Sequence, residues 1–247
     1  MTQAASPPIR RAMVLAAGLG QRMRPITDTL PKPLIRIGGK AMLDHALDRL
    51  AEAGVEEVVV NVHHLAGQIE THVAGRTSPR IVISDERAAL LETGGGTRKA
   101  LPLLGNGPFF SVNSDSLWSE TGISNFAAMA QAWDPKRMDM LLLLARRETS
   151  VGAGGKGDFF RDEEGRLTRR GEAASAPYIF AGVAVLTSPF FAGTPDGPFS
   201  LNLLFDRAIA AGRLFGHMLE GQWLHVGAPH EIAPAEAAFA AAQALDA

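Results

Sequence analysis

Residues 12–35 read AMVLAAGLGQRMRPITDTLPKPLI, and this stretch decides the fold. It opens with an apolar run from Ala12 to Ala17, which predicts a buried β-strand. The loop that follows contains Gly18 and Gly20. Glycine has no Cβ, so the backbone N–H groups of such a loop can come close to a bound anion. The stretch therefore predicts a strand that ends in an anion-binding loop.

The same loop is rich in cations, because Arg22 and Arg24 follow the glycines and Lys32 stands between two prolines. A guanidinium group pairs with phosphoryl oxygens in a planar fork, and an ammonium group adds a point charge. The two common phosphate motifs do not fit. No Gly-Lys-Ser/Thr follows the glycines, and Met23 stands where a dinucleotide fingerprint needs its third glycine. We therefore predict a nucleotide site of another kind.

Composition limits the protein class. The 247 residues are 46% hydrophobic, carry a net charge of −2 and include no cysteine. These values argue against disorder, a sequence-independent nucleic-acid binder, disulfides and a cysteine-based zinc site. No apolar run approaches the about 18 residues of a membrane span. Residues 1–10 lack the apolar region of a signal peptide and are predicted to be a flexible extension. The sequence thus predicts a cytoplasmic protein with neither nucleic acid nor membrane as a partner.

Strand and helix patterns alternate along the chain, as in parallel βαβ units. The predicted strands cover residues 12–17, 55–62, 81–84, 109–113, 138–145, 178–186 and 214–219. The predicted helices cover residues 42–53, 65–73, 97–104, 123–133, 199–211 and 233–245. We expect one domain, residues 11–247, with a Rossmann-like three-layer α/β sandwich, a mostly parallel central sheet and a small antiparallel extension.

Three polar features follow predicted strands of this sheet. They are the loop 18–24, the glycine-rich turn 92–96 and Asp115. In an open α/β sheet, ligands bind beyond the carboxyl ends of the strands. We therefore expect the three features to meet in one crevice.

Several motifs together resemble the sugar-1-phosphate nucleotidyltransferases, which join a nucleoside triphosphate to a sugar 1-phosphate and release pyrophosphate. The motifs are Leu15 to Arg24, Pro31-Lys32-Pro33, Glu92 to Gly96, Asp115, Phe180 to Val183 and Trp223 to Gly227. Within the family, the chain is most similar to the small bacterial N-acetylmuramate-1-phosphate uridylyltransferases of cell-wall recycling. The mannose-1-phosphate guanylyltransferase-like members are the nearest competitor.

The resemblance implies a role for each matching position. Arg22 and Lys32 would contact the phosphates and, with Asp115, form the catalytic set. The sugar would contact Asn113, Asp158 and Gly182. The nucleotide would contact Leu15, Ala16, Ala17, Gly18, Gly20, Glu92, Thr93 and Gly94. The resemblance thus implies two small-molecule partners: a nucleoside triphosphate, with UTP expected, and a sugar 1-phosphate, with N-acetylmuramate 1-phosphate expected. We expect the protein to be a monomer or a small homo-oligomer.

The resemblance also implies a metal cofactor, Mg²⁺ or alternatively Mn²⁺, held by Asp115. The family has a second aspartate where this chain has His225. Imidazole suits manganese or cobalt better than magnesium. Three alternatives stay open: the ion relies on Asp115, phosphates and water; the metal preference has changed; or Asp85 helps from another strand.

Simpler interpretations compete with these roles. Asp115 has the chemistry of a turn residue, His225 that of a core histidine, and Asp158 that of a solvated loop aspartate. Two other functions compete as well: a guanylyltransferase acting on mannose or heptose 1-phosphate, and a non-catalytic nucleotide-sugar sensor that has lost the second carboxylate.

Overall fold

The central sheet is built around the strand that the first motif predicts. A computed structural model describes residues 8–120, 122, 124–152 and 154–245. The strands are β1 Arg11–Leu15, β2 Arg36–Ile37, β3 Lys40–Ala41, β4 Glu57–Val62, β5 Arg80–Asp85, β6 Pro108–Asn113, β7 Leu117–Ser119, β8 Met140–Arg146, β9 Phe159–Arg161, β10 Leu167–Arg169, β11 Tyr178–Thr187, β12 Leu214–Met218 and β13 Gln222–Leu224. The helices are α1 Met42–Glu52, α2 Ala66–Val73, α3 Glu92–Leu104, α4 Asn125–Ala132, α5 Asn202–Ala210 and α6 Ile232–Leu245.

The sheet is mostly parallel, as predicted. Its main strands lie in the order β12-β8-β11-β6-β1-β4-β5. Strands β6, β1, β4 and β5 are mutually parallel, whereas β11 runs antiparallel to both β6 and β8. The β9–β10 ribbon joins β11 at Tyr178 and forms the small antiparallel extension. Two further pairs, β2–β3 and β7–β13, lie outside this sheet.

Each strand of the sheet sends alternate side chains into two different apolar layers, which is why the fold has three layers. Along β4, Val58, Val60 and Val62 pack with α1, α2 and α4, whereas Val59 packs with α3 and α5. Along β1, Val14 faces the first layer and Met13 the second. A third cluster joins the glycine loop to α6 and contains Met23, Ile35, Ile37, Met42, Leu117, Leu224, Val226, Ala235 and Phe239.

The register of the parallel strands decides where the polar strand ends lie. Leu15 at the end of β1 is paired with Asn61 on one side and with Asn113 on the other. These positions alternate with residues of the first layer, so all three side chains face the layer that contains α3. The predicted crevice is therefore bounded by three adjacent strand ends and the N-terminus of α3.

Two predicted boundaries were wrong. The first strand ends at Leu15 and not at Ala17, because the N–H of Ala16 donates to Asn61 Oδ1 (2.7 Å) instead of joining the backbone ladder. The predicted turn 92–96 is the first part of α3, which begins at Glu92 and not at Thr97. Its glycines allow close packing against neighbouring segments.

The remaining predicted helices and long strands are confirmed to within a few residues at each end. Ile123, where the fourth helix was predicted to begin, and residues 1–7 lie outside the described part of the chain. Ile9 is buried, and the Arg10 carbonyl accepts hydrogen bonds from the N–H groups of Glu56 and Glu57 (2.9 and 3.2 Å). We therefore expect the predicted N-terminal extension to end before Ile9. Among the described residues, no helix has the length and apolar character needed to cross a bilayer.

Candidate active site

Two adjoining cavities lie beyond the carboxyl ends of the parallel strands. The first has a volume of about 420 Å³ and is lined by Leu15, Ala17, Gly18, Gly20, Lys32, Pro33, Asn61, Glu86, Leu90, Glu92, Thr93, Asn113, Ser114, Asp115 and Ser200. The second, of about 450 Å³, is lined by Gly18 to Met23, Lys32, Leu90, Asp115 and Gly227. Lys32 and Asp115 border both. We call Arg22, Lys32 and Asp115 the phosphate end, and Asn61 with Glu86, which border the first cavity, the inner end.

The glycine loop is held in place by its own backbone contacts and by one buried side chain. Gly20 adopts a left-handed conformation (φ 61°), and its carbonyl accepts from Thr27 Oγ1 (2.8 Å) and from the Met23 N–H (2.8 Å). An added Cβ at Gly20 would lie 2.8 Å from Thr27 Cγ2, so glycine is required here. Met23 is fully buried, whereas the adjacent Arg22 is exposed at the second cavity. The loop thus presents a cation on a fixed backbone.

The phosphate end contains an ion pair. Lys32 Nζ donates to Asp115 Oδ2, with 13% and 34% of the two side chains exposed. Lys32 follows the extended Pro31, and Asp115 lies two residues beyond the end of β6. The structure therefore brings Arg22, Lys32 and Asp115 to one cavity wall, as the sequence predicts. A cation pair beside a carboxylate can bind a triphosphate and a metal ion together.

The N-terminus of α3 forms another part of the wall of the first cavity. Glu92 has a left-handed backbone (φ 58°), which is uncommon for a residue with a side chain, and Glu92 and Thr93 both line the first cavity. Thr93 Oγ1 accepts from the Leu201 N–H (2.9 Å), which ties this wall to the segment before α5. Gly94 does not line the cavity but stabilises this wall, because its N–H donates to the Phe199 carbonyl (2.8 Å).

The glycine run of α3 is explained by three close approaches. An added Cβ at Gly94 would meet the Phe199 ring and carbonyl, and one at Gly95 would meet the Gly197 carbonyl. At Gly96, it would lie 2.6 Å from Glu86 Oε1 and 2.9 Å from Asn61 Nδ2. The glycines therefore let α3 pack directly on neighbouring backbone and on the inner end.

The inner end was missed by sequence reasoning. Asn61 and Glu86 are 2% and 1% exposed, and Asn61 Nδ2 donates to Glu86 Oε1 (2.7 Å). Burial raises the pKa of Glu86, although the hydrogen bonds from Asn61 and from the Leu91 N–H oppose this. A polar residue inside the apolar run Val58 to Val62 was the available sequence signal. It points to a side chain that the fold keeps for a purpose other than packing.

His225 lies beside the phosphate end. Its ring packs on Trp223 (centroids 5.4 Å apart), and Nε2 is 3.8 Å from Glu231 Oε2. Burial lowers the pKa of His225; Arg22 and Lys32 act in the same direction, whereas Glu231 and Asp115 oppose it. Because the pKa falls below 6.5, the imidazole is mostly neutral near pH 7, as a metal ligand must be.

The predicted sugar positions are only partly brought together. Asn113 lines the first cavity, but Asp158 and Gly182 line neither. Asp158 Oδ2 accepts from the Phe180 N–H (2.9 Å), so this carboxylate fixes the start of β11. Gly182 (φ 82°) lies where the β11–β8 register shifts, and an added Cβ there would meet Asn113 and Ser116. Asp85, the alternative metal ligand, also lines neither cavity, and its carboxylate accepts from Arg87.

Comparison with known proteins now decides the family. The sequence profile described as "Nucleotidyl transferase" matches residues 11–151, from β1 through the glycine loop and Asp115 to the end of β8. The chain belongs to the nucleotidyl transferase family. It is therefore an enzyme that transfers nucleotidyl groups, and the resemblance noted in the sequence is confirmed.

Curated relatives in this family match nearly the whole chain. An N-acetylmuramate alpha-1-phosphate uridylyltransferase of Caulobacter vibrioides is 48% identical over 235 residues, which is 94% of this chain and 97% of that protein. The protein of the same name from Neisseria meningitidis is 35% identical over 92% of this chain and 97% of its own length. An inositol-1-phosphate CTP transferase from T. maritima has the same fold, with a TM-score of 0.74, 19% identity and 92% coverage of both chains.

Nucleotidyl transferases of this family generally use a divalent metal ion, and the residues of this site fit an ion that is also held by the substrate. Within the described ranges, no group of three His, Asp or Glu side chains could hold a metal unaided. Asp115 lines both cavities with a third of its side chain exposed. Magnesium is commonly bound by one or two carboxylates together with substrate phosphates. The site thus fits an ion that arrives with the nucleotide.

Proposed function

We propose that this nucleotidyl transferase transfers a uridylyl group from UTP to N-acetylmuramate 1-phosphate, giving UDP-N-acetylmuramate and pyrophosphate in cytoplasmic cell-wall sugar recycling. The observation that carries the proposal is the meeting of Arg22, Lys32 and Asp115 at one cavity wall beyond the strand ends. The choice of substrates is supported by a relative of that activity that is 48% identical along nearly its full length.

The chemistry requires positioning and charge neutralisation. A phosphate oxygen of the sugar 1-phosphate attacks the α-phosphorus in line, a new P–O bond forms, and the bond to the β-phosphate breaks as pyrophosphate leaves. No proton is transferred, because the attacking phosphate is mostly ionised near pH 7 (second pKa about 6). This agrees with the predicted catalytic set, which includes no general base.

In this proposal each described residue has one task. Arg22, exposed on the rigid glycine loop, binds the triphosphate, and Lys32 neutralises its developing charge. Asp115 would hold a divalent ion, Mg²⁺ or Mn²⁺, which supplies charge neutralisation when it is bound with the phosphates. The cavity residues Leu15, Ala17, Gly18, Gly20, Glu92 and Thr93 contact the nucleoside, with Ala16 and Gly94 supporting them from behind.

The sugar binds nearer to Asn113, with Asp158 and Gly182 shaping β11 beside it. We retain His225, a neutral imidazole whose pKa responds to the charge of Asp115, as a second ligand position, although it lines neither cavity. A monomer or small homo-oligomer and a single domain over residues 11–247 remain predictions from the sequence.

One assay tests the reaction: pyrophosphate release from each of the four nucleoside triphosphates with a panel of sugar 1-phosphates, in magnesium or manganese. We expect the highest kcat/KM for UTP with N-acetylmuramate 1-phosphate. If the highest kcat/KM is found for GTP with mannose or heptose 1-phosphate, the protein is a guanylyltransferase and the proposal is wrong. Absence of turnover with every pair, together with tight binding of a nucleotide sugar, would indicate the sensor. The presence of Arg22, Lys32 and Asp115 together favours the enzyme over the sensor, because a sensor has little need for groups that neutralise reacting phosphates.

A further inference from the structure

The segment between the two cations of the phosphate end contains a buried turn. Residues Ile26–Asp28 form a single 3₁₀ turn between Arg22 and Lys32. The last carbonyl groups of such a turn have no partner within it. Thr27 is only 1% exposed, so its carbonyl needs a hydrogen-bond donor from elsewhere in the protein.

His64 supplies that donor from the carboxyl end of a parallel strand. It follows the last residue of β4 by two positions, and its Nε2 lies 2.8 Å from the Thr27 carbonyl oxygen. A carbonyl can only accept, so Nε2 must carry the proton and donate. The next residue, Leu65, has a left-handed backbone (φ 51°) before α2 begins. This backbone is unfavourable for a residue with a side chain, and such strain is concentrated at functional positions.

The contact continues from Thr27 to the glycine loop. Thr27 Oγ1 donates to the Gly20 carbonyl (2.8 Å). A Cβ added at Gly20 would lie 2.8 Å from Thr27 Cγ2 and 3.3 Å from Lys32 Cβ, so these three residues pack against one another. Two hydrogen bonds in sequence thus connect His64 to the loop that carries Arg22.

His64 lines neither cavity, so it can act on a ligand only through this loop. We propose that His64 is a positioning residue: by holding Thr27, it keeps the glycine loop in the conformation that presents the cations of the phosphate end to a triphosphate. This inference rests on the proposed function, because that proposal makes the triphosphate the ligand of these cations. Positioning of charged groups is most of what the transfer reaction requires.

Two substitutions of His64 test this role, because they differ in one hydrogen-bond donor. His64→Leu leaves the buried Thr27 carbonyl without its donor, whereas His64→Gln keeps a side-chain N–H group. A buried carbonyl left unpaired is costly, so the loop should leave its ligand-free conformation. We expect His64→Leu to raise both KM and Kd for UTP by about 10-fold. The KM for the sugar 1-phosphate should change little, and His64→Gln should restore most of the affinity for UTP.

His72 provides a matched control on α2. Its Nε2 lies 2.9 Å from Asp44 Oδ2, and neither residue lines a cavity. His72→Leu removes a histidine hydrogen bond of similar length and should leave the KM for UTP unchanged. A similar rise in KM in His64→Leu and His72→Leu would show that His64 only stabilises the fold.

Hydrogen exchange of the ligand-free protein separates this inference from the proposed reaction. The Met23 N–H donates to the Gly20 carbonyl, so it should exchange faster in His64→Leu, whereas the amides of β11 should keep their rate. Faster exchange at Met23 with an unchanged Kd for UTP would support the positioning of the loop and contradict its proposed role at the triphosphate. Unchanged exchange at Met23 together with an unchanged Kd would overturn the inference.

Thr27→Val tests the next hydrogen bond in the same series, and it decides the question if His64→Leu does not fold. Valine keeps the branched shape of threonine but cannot donate to the Gly20 carbonyl. The Kd for UTP, measured by calorimetry without a sugar 1-phosphate, should rise by a similar factor. An unchanged Kd in Thr27→Val would show that this series of contacts does not position the loop.

Discussion

The two ends of the site differ in how exposed their charged and polar side chains are. At the phosphate end, Arg22 is exposed, and Lys32 and Asp115, whose side chains are 13% and 34% exposed, compensate each other's charge as an ion pair. At the inner end, Asn61 and Glu86 are almost completely buried, and their hydrogen bonds are fixed before any ligand arrives. The difference indicates that the phosphate end keeps an exposed cation available to a ligand, whereas the polar groups of the inner end are already paired within the fold.

Asp115→Ala should have the largest effect and act only at the phosphate end. Loss of the carboxylate that would hold the metal should lower kcat by about 1,000-fold or more, since it removes neutralisation of the reacting phosphates. The melting temperature should change little, because the pair with Lys32 is partly solvated. Asp196→Asn, at a side chain that is 96% exposed, is the control and should retain full activity. Near-normal turnover of Asp115→Ala would remove Asp115 from the catalytic set.

Lys32→Met should follow, with a loss of about 100-fold in kcat/KM for the nucleotide. The substitution removes the point charge and leaves Asp115 without its ion-pair partner, while the methionine chain fills the same space beside Pro33. Steady-state kinetics with both substrates checks this. A defect confined to the sugar 1-phosphate would place Lys32 on the other substrate.

Gly96→Ala tests the inner end through packing. The added methyl would lie 2.6 Å from Glu86 Oε1, so the pair must shift, and we expect a loss of about 1–3 kcal/mol in the free energy of unfolding. Gly67→Ala in α2 is the matched control, since an added Cβ there meets nothing within 4 Å. That variant should gain about 0.5–1 kcal/mol from helix propensity. Denaturant titrations compare the two, and equal effects would contradict the packing role of the glycine run.

Glu86→Gln should change stability in a pH-dependent way. Burial raises the folded-state pKa of Glu86 above its ordinary value of 4.5, so the ionised carboxylate destabilises the fold at neutral pH. This destabilisation disappears as pH falls through the folded-state pKa, because Glu86 binds a proton at a higher pH in the folded protein than in the unfolded chain. The melting temperature of the Glu86→Gln variant relative to the unmodified protein should therefore rise as pH increases from about 4.5 through the folded-state pKa of Glu86, and then stay constant. For Asp85→Asn, whose carboxyl has a lowered pKa, the same difference should be flat over this range.

His225→Asp should have the smallest effect, a several-fold rise in the activity ratio of magnesium over manganese. A carboxylate at position 225 would be a better ligand for a hard cation than a neutral imidazole. Activity measured in each metal gives the ratio directly. An unchanged ratio would assign His225 to packing against Trp223.

The sequence predicted the phosphate end better than the inner end, and the reason is local. Arg22, Lys32 and Asp115 lie in a loop and at a strand end, where the βαβ pattern alone indicates which edge of the sheet they share. Asn61 lies on β4 and Glu86 directly follows β5, so their contact depends on the β4–β5 pairing and on how closely α3 approaches. No spacing along the chain reports that approach.

Two other differences have the same origin. The glycines at 94–96 suggested a turn because glycine disfavours a helix, yet close packing on Phe199 and Gly197 overrides that preference. The resemblance also did not indicate that the Asp158 side chain accepts from the Phe180 N–H at the start of β11; its contact with the sugar stays a prediction. Tertiary contacts explain both differences.

The last helix, α6, supports the glycine loop near the N-terminus of the chain. Phe239 of α6 packs on His45 (ring centroids 5.0 Å apart) and shares an apolar cluster with Met23, the anchor of the glycine loop. The loop proposed to bind the triphosphate is therefore supported by residues more than 200 positions downstream. Removing α6 should loosen nucleotide contacts without touching any group that meets the ligand, so a fusion tag or truncation at the C-terminus can weaken nucleotide binding from a distance.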